Sequence, residues 1–137
     1  MTRFNISLDE GVEMVLWALK NAIGGEIFVP KIPSYKITDV AEAICADCKT
    51  EIVGIRPGEK IHEQMISSDD SYSTYEYSDY YKILPQINEW GKDSLRIKNG
   101  KKVPEGFIYS SDKNSNWMTK NELEKWIKVS KDLIGKI

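Results

Sequence analysis

Apolar residues recur at Leu8, Val12, Val15, Leu16, Leu19 and Ile23, with Glu13, Lys20 and Asn21 off the stripe. That spacing predicts a helix with one buried face. Ser7-Leu8-Asp9-Glu10 in front of it is a capping box, and Gly24-Gly25 behind it supplies a left-handed stop. Glu26 to Val29 then reads as a strand closed by Pro30, and Tyr35 to Ile37 as a brief extended piece. Thr38 is a good N-cap for a short helix over Asp39 to Ala46, with Val40, Ala41, Ala43 and Ile44 on its apolar face. Glu51 to Ile55 is predicted as a strand. The chain turns through Pro57-Gly58 and restarts with Ile61 and Met65 four apart, a helical spacing. Tyr80 to Leu84 is a further strand, stopped by Pro85. Thr119-Lys120-Asn121-Glu122 is a second capping box, ahead of a stripe at Leu123, Trp126, Ile127, Ser130, Leu133, Ile134 and Ile137. Residues 67–79 and 86–106 hold no sustained period and are expected to be surface loops, with Arg96, Lys98, Lys101 and Lys102 on a solvated hairpin face around Asn99-Gly100. Helices alternating with strands predict an α/β or α+β fold, a small sheet with packed helices, and α/β is taken as the class.

Composition narrows the class. At 137 residues the chain fits one domain over 1–137, with enough length to bury a core. Nineteen Lys and Arg against 21 Asp and Glu leave a net charge of −2, so the chain has no basic field of the kind that grips nucleic acid. The apolar runs are only a few residues long, and Met1 to Asn5 lacks a leader's apolar core. No membrane partner and a cytoplasmic location are expected. Cys45-Ala46-Asp47-Cys48 sits where a helix should be ending, the wrong end for a low-pKa thiol, and lacks a second ligand pair for zinc. These cysteines are expected to be reduced and incidental.

The candidate chemistry lies at Arg56-Pro57-Gly58-Glu59. A guanidinium fits phosphate oxygens bidentately. A carboxylate three residues on would repel phosphate but accepts hydrogen bonds from a vicinal diol, so the pair describes a nucleoside diphosphate. The same four residues also fit a local ion pair between Arg56 and Glu59 at a helix start. Arg3 is a second cation that could converge on the phosphate, although by itself it reads as a surface residue. Tyr109 to Lys113 spells Tyr-x-x-x-Lys, but Ser110-Ser111-Asp112 and Asn114-Ser115-Asn116 make that stretch turn-rich, and its use as a catalytic pair is rejected. Gly24-Gly25 follows a helix, so no dinucleotide fingerprint is present. His62 has no evident nucleophile partner and reads as a packed or surface helix residue. Asp69-Asp70 reads as solvated loop charge without metal-ligand spacing.

Several segments carry a resemblance in the right order: Met1-Thr2-Arg3-Phe4, Ser7 to Gly11, Gly24 to Ser34, Ile37-Thr38-Asp39, Val53 to Glu63, and Tyr109 to Trp117. Together they resemble the C-terminal, substrate-binding part of the C5-inverting UDP-N-acetylglucosamine 4,6-dehydratases, extended short-chain dehydrogenase/reductases of polysaccharide biosynthesis. The resemblance implies a UDP-sugar ligand, with Arg56 on the phosphates, Glu59 on the ribose hydroxyls and Arg3 as a second pyrophosphate contact. It implies NADP in the parent enzyme, held with the catalytic residues by an N-terminal Rossmann domain, and no cofactor or catalytic residue in this chain. Asn5 and Tyr35 depart from the expected pattern, which touches the sugar pocket more than the nucleotide contacts. Apolar surface meant for that other domain should be exposed, and a homo-oligomer is expected. Two rivals stand beside this reading. One is a UDP-sugar 4-epimerase with a similar Arg-to-acid turn; the other is an interaction or assembly module using the tyrosine-rich Tyr72 to Tyr81 segment.

Overall fold

The computed structural model describes residues 1–86 and 93–134. In chain order these form β1 (Thr2–Phe4), α1 (Leu8–Asn21), β2 (Ile27–Pro30), β3 (Ser34–Lys36), α2 (Ile37–Ile44) and β4 (Gln64–Ile66). A 3₁₀ turn (Asp69–Ser73), β5 (Thr74–Glu76), β6 (Tyr80–Ile83), α3 (Ser94–Ile97), β7 (Lys101–Lys102), β8 (Tyr109–Ser110) and α4 (Lys120–Ile134) complete the series. The class is mixed α/β, with small antiparallel sheets and four helices. The length predicts one domain, whereas contacts divide the chain into two compact units interleaved in sequence. Met1–Asn5, Pro33–Glu63 and Ser111–Ile137 make the first, and Ile6–Ile32 with Gln64–Ser110 the second.

In the first unit β1 pairs antiparallel with β3, which sets Arg3 opposite Tyr35. Ser34 is fully buried and organises the crossing chain: its amide donates to the Asn116 carbonyl at 2.9 Å and its carbonyl accepts the Met118 amide at 2.9 Å. α2 packs against α4. The second capping box forms as expected: the Thr119 amide and hydroxyl both donate to Glu122, and the Glu122 amide donates back to the Thr119 hydroxyl. Leu123, 1% exposed, is the buried anchor of α4. The side chains of Leu133, Ile134 and Ile137 lie outside the described residues.

In the second unit a four-stranded antiparallel sheet runs in the order β2-β6-β5-β7, and β4 pairs with β8 across a register shift. Ser7 caps α1 through the full capping box. Trp17 packs the inner face of α1, edge-on to Phe28 with centroids 5.3 Å apart and tilted on Tyr80 at 4.7 Å.

Several sequence expectations need correction. The α1 stripe is not buried: Leu8 is 83%, Leu16 61% and Leu19 74% exposed, and Ile6, Gly11, Val12 and Val15 line the same open apolar trough. The helix ends at Asn21, before the glycines. α2 starts at Ile37, and the Thr38 hydroxyl donates to Asp39 instead of capping it. No strand forms over 51–55 and no helix starts at Ile61. A strand needs a partner to hold its ladder, whereas Ile52 is 98% exposed and Gly54 turns away with φ +84°.

The 67–79 stretch is not a surface loop either. It forms the 3₁₀ turn and β5, burying Ser71, Ser73, Thr74 and Tyr75. Within 86–106, α3 and β7 form and Val103 is buried, while residues 87–92 lie outside the described residues. Arg96 leaves the solvated face to pair with Asp93 and Glu26. Cys45 and Cys48 form a disulfide, not free thiols. α2 stops at Ile44, and the turn that follows brings their Cα atoms to 5.4 Å, within bridging range.

Candidate functional site

Gly58 adopts φ +81°, a left-handed value open to glycine, and the chain reverses after Pro57. Two hydrogen bonds close this turn. The Glu59 amide donates to the Arg56 carbonyl at 3.1 Å, and the Arg56 amide donates to Glu59 Oε2 at 3.2 Å. Glu59 therefore spends one carboxylate oxygen on the Arg56 backbone. Among the described residues the Arg56 guanidinium makes no hydrogen bond or ion pair, and the local Arg56–Glu59 ion pair does not form. The expected helix N-terminus behind the turn is missing too, so no helix-terminal amides stand beside the exposed guanidinium.

The chain after the turn is stitched to β1 residue by residue. Arg3 Nη1 donates to the Thr2 carbonyl at 2.7 Å and the Ile61 carbonyl at 3.2 Å, and Nη2 donates to the Lys60 carbonyl at 2.9 Å. Its Nε lies 3.6 Å from Glu63 Oε1, while Glu63 Oε2 accepts the Phe4 amide at 2.8 Å. The Thr2 amide donates to the Ile61 carbonyl at 3.0 Å. The Thr2 hydroxyl is hydrogen-bonded to His62 Nδ1 at 2.8 Å and to the Ser111 hydroxyl at 2.7 Å. Ser111 completes the strap: its hydroxyl accepts the Glu63 amide at 2.9 Å, and its own amide donates to the Glu63 carbonyl at 2.8 Å. Burial pushes the Tyr35 hydroxyl above its ordinary pKa; the Glu63 carboxylate adds to the shift and Arg3 opposes it.

The structure thus brings Arg56 and Glu59 together on one turn and places Arg3 on β1 against the adjoining strap, its side chain 19% exposed and its donors aimed at backbone carbonyls. Thr2, His62, Glu63 and Ser111 belong to the same constellation and were not legible as a group. Ser111 lies 109 residues from Thr2, and no local spacing announces such a contact. His62 is on an irregular exposed segment, not on a helix.

Elsewhere the suggestive motifs have other uses. Tyr109 lies on β8, its hydroxyl held between the Ile32 amide at 3.0 Å and the Ile32 carbonyl at 3.1 Å, and Lys113 follows in a turn. At Gly24-Gly25 the position near the end of α1 is filled by Glu26, which accepts the Ile23 and Gly24 amides at 3.2 and 2.7 Å. Burial pushes the Glu26 carboxyl up, but these amides and Arg96 more than offset it, leaving it below the ordinary range. A carboxylate thus occupies amides that a dinucleotide phosphate would need, and the order is helix to strand. At these glycines the geometry is not that of a dinucleotide-binding turn. Among the described residues no group of three or more His, Cys, Asp or Glu could hold a metal ion, and no helix is long and apolar enough to cross a membrane.

Residues 1–85 match the model of a family described as polysaccharide biosynthesis protein. The chain is 52% identical over 129 residues to a UDP-N-acetylglucosamine 4,6-dehydratase (inverting) of Campylobacter jejuni, covering 90% of this chain and 38% of that protein. It is 40% identical over 107 residues to a UDP-glucose 4-epimerase of Rickettsia massiliae, covering 75% of this chain and 31% of that protein. Among solved structures it is similar to Pen from Bacillus thuringiensis, with a TM-score of 0.74 and 29% identity over 96% of this chain and 38% of that one. The chain spans about two fifths of the length of the curated dehydratases it matches.

Proposed function

The chain belongs to the polysaccharide biosynthesis protein family, and from that premise we propose that it is the nucleotide-sugar-binding part of an inverting UDP-N-acetylglucosamine 4,6-dehydratase. The observation that carries the reading is the 52% identity over 90% of the chain to the Campylobacter enzyme. The turn at Arg56 supports it chemically. An exposed guanidinium without a protein partner among the described residues is ready for a pyrophosphate, and Glu59 Oε1, not used on the turn, can accept the ribose hydroxyls. The parent reaction makes a 4-keto-6-deoxy sugar nucleotide, oxidising C4, eliminating water across C5 and C6, and returning hydride to C6. NADP supplies the hydride chemistry there, and none of it is assigned to residues of this chain.

The remaining partners follow from the same reading. The apolar face of α1 is where the rest of such an enzyme would dock, and the parent is a cytoplasmic homo-oligomer. The similarity to the Rickettsia epimerase keeps a second reading, a UDP-sugar 4-epimerase, and product analysis of the full-length enzyme separates the two. The interaction-module reading keeps only part of its surface: Tyr75 and Tyr81 are buried and Tyr77 stacks on Tyr80, while Tyr72 stays exposed.

Titrating UDP into the chain and into Arg56→Ala tests the proposal. Loss of a charge-assisted contact should weaken binding by about tenfold or more. Equal responses, or none in either protein, would overturn it.

A further inference from the structure

The bridge between Cys45 and Cys48 has no use in the nucleotide reading. We infer that this pair is a reversible dithiol–disulfide site, opened by a dithiol reductant and closed again by a disulfide oxidant. It stands apart from the nucleotide-sugar reading, although it lies at the root of the segment that carries Arg56 and Glu59.

The bridge contributes little to the fold. With a sequence separation of 3 it closes a very short loop, and it constrains the unfolded chain far less than a link between distant elements would. It joins no two elements: both cysteines lie in the first unit, just past the end of α2 at Ile44. The turn also has its own backbone fastening. The Cys45 amide donates to the Ala41 carbonyl at 3.0 Å, and the Cys48 amide to the Cys45 carbonyl at 3.4 Å. These bonds survive opening of the bridge, so the two sulfurs stay close enough to join again. Access decides which sulfur is attacked, since Cys48 is exposed and Cys45 half-buried. A reductant thiolate bonds to the Cys48 sulfur, the S–S bond breaks, and its electron pair leaves on Cys45, which takes a proton. The second thiol of the reductant then displaces Cys48 from the mixed disulfide. Two electrons and two protons have passed to the protein, and the dithiol departs as its own disulfide; closure against a disulfide oxidant is the reverse.

Two neighbours slow the exchange. Cys45 is the C-cap of α2, at the negative end of the helix dipole, and exposed Asp47 adds a charge between the two cysteines. Both disfavour the departing thiolate, the opposite of a pair at a helix N-terminus. The effect on the nucleotide turn is small. Among the described residues, the backbone of 49–59 makes no hydrogen bond outside that turn, and an open bridge only adds a few residues to an already loose stem. Loop-closure cost grows with the logarithm of length, so UDP affinity should change by less than about twofold.

Thiol trapping on the whole chain is the test. Dithiothreitol followed by iodoacetamide should label both cysteines, and transfer to glutathione disulfide before trapping should abolish the label, with the circular dichroism of the fold unchanged throughout. A bridge that opens only when urea unfolds the chain, or that does not re-form, would overturn the inference. Brief exposure to reduced glutathione, quenched in acid, should place glutathione on Cys48; finding it on Cys45 would overturn the direction of attack. Asp47→Lys should speed reduction severalfold, and an unchanged rate would overturn the part given to Asp47. UDP titration of the open and closed forms keeps the two readings apart. Affinities within about twofold agree with a separate redox site, and a difference of about tenfold would overturn that separation. Should neither form bind UDP, the nucleotide-sugar reading falls and the trapping result alone decides the redox site.

Discussion

At position 3 a guanidinium satisfies the carbonyls of Thr2, Lys60 and Ile61; at position 56 the same group has no protein partner among the described residues. One side chain is spent on backbone carbonyls and the other is not, a distinction that residue type and spacing do not carry. The tyrosines divide in a similar way. Burial pushes Tyr77 and Tyr81 from an ordinary 10.0 to about 12, with neighbouring tyrosines and, for Tyr81, Glu76 adding to it. The folded protein therefore holds these protons above pH 10, where the unfolded chain releases them. Their stabilising effect is complete below pH 10 and is lost as pH rises toward 12. Urea midpoints between pH 10 and 12 should fall, and Tyr81→Phe, which keeps the ring contacts to Phe107 and Tyr109, should flatten that fall. An unchanged slope in the variant would show that Tyr81 is not among the groups responsible.

Among the elements, α1 and α4 both begin with a capping box and both carry an apolar stripe, yet their stripes have opposite fates. Leu123 on α4 is 1% exposed, and Leu123→Ala should cost roughly 2 to 5 kcal/mol in urea denaturation. Leu16 on α1 is 61% exposed, so Leu16→Lys should change stability by only about 0.5 kcal/mol. The same substitution should slow self-association in sedimentation, because it puts a charge on the apolar trough. A destabilisation as large as that at Leu123 would mean that α1 is buried after all. Both helices were legible because a capping box and a 3.6-residue period are local. The 51–55 strand misled because its Ile and Val have β propensity but no partner strand. The 3₁₀ turn and β5 stayed hidden for the opposite reason: Ser71, Ser73 and Thr74 are buried polar residues that satisfy their hydroxyls on the carbonyls of Ser68 and Asp70, so burial leaves no hydrophobic period to read. In the site, the turn was legible from Arg56 to Glu59, and the hydrogen-bonded set around Arg3 was not, since its members are scattered from Thr2 to Ser111.

For the whole molecule, the proposed nucleotide grip leads to one expectation. A 4,6-dehydration needs a hydride acceptor at C4 and groups that move protons at C5 and C6. In this chain the glycine pair that might have met a dinucleotide is occupied by Glu26, and the tyrosine that might have served as a base is held on both sides by Ile32. Burial also pushes the Tyr109 hydroxyl above its ordinary pKa, although the hydrogen bond to Ile32 opposes this, so it is a poor base near neutrality. Supplied with UDP-N-acetylglucosamine and NADP, the chain alone should release no 4-keto sugar, while still giving a UDP response that depends on Arg56. Release of the keto product would show that redox and proton-transfer groups are present here, and would overturn the division between gripping the nucleotide and changing the sugar. Retained UDP binding with no turnover is the outcome that division requires, because a phosphate contact can be made by one exposed turn, whereas hydride transfer needs a second bound molecule placed against the sugar ring.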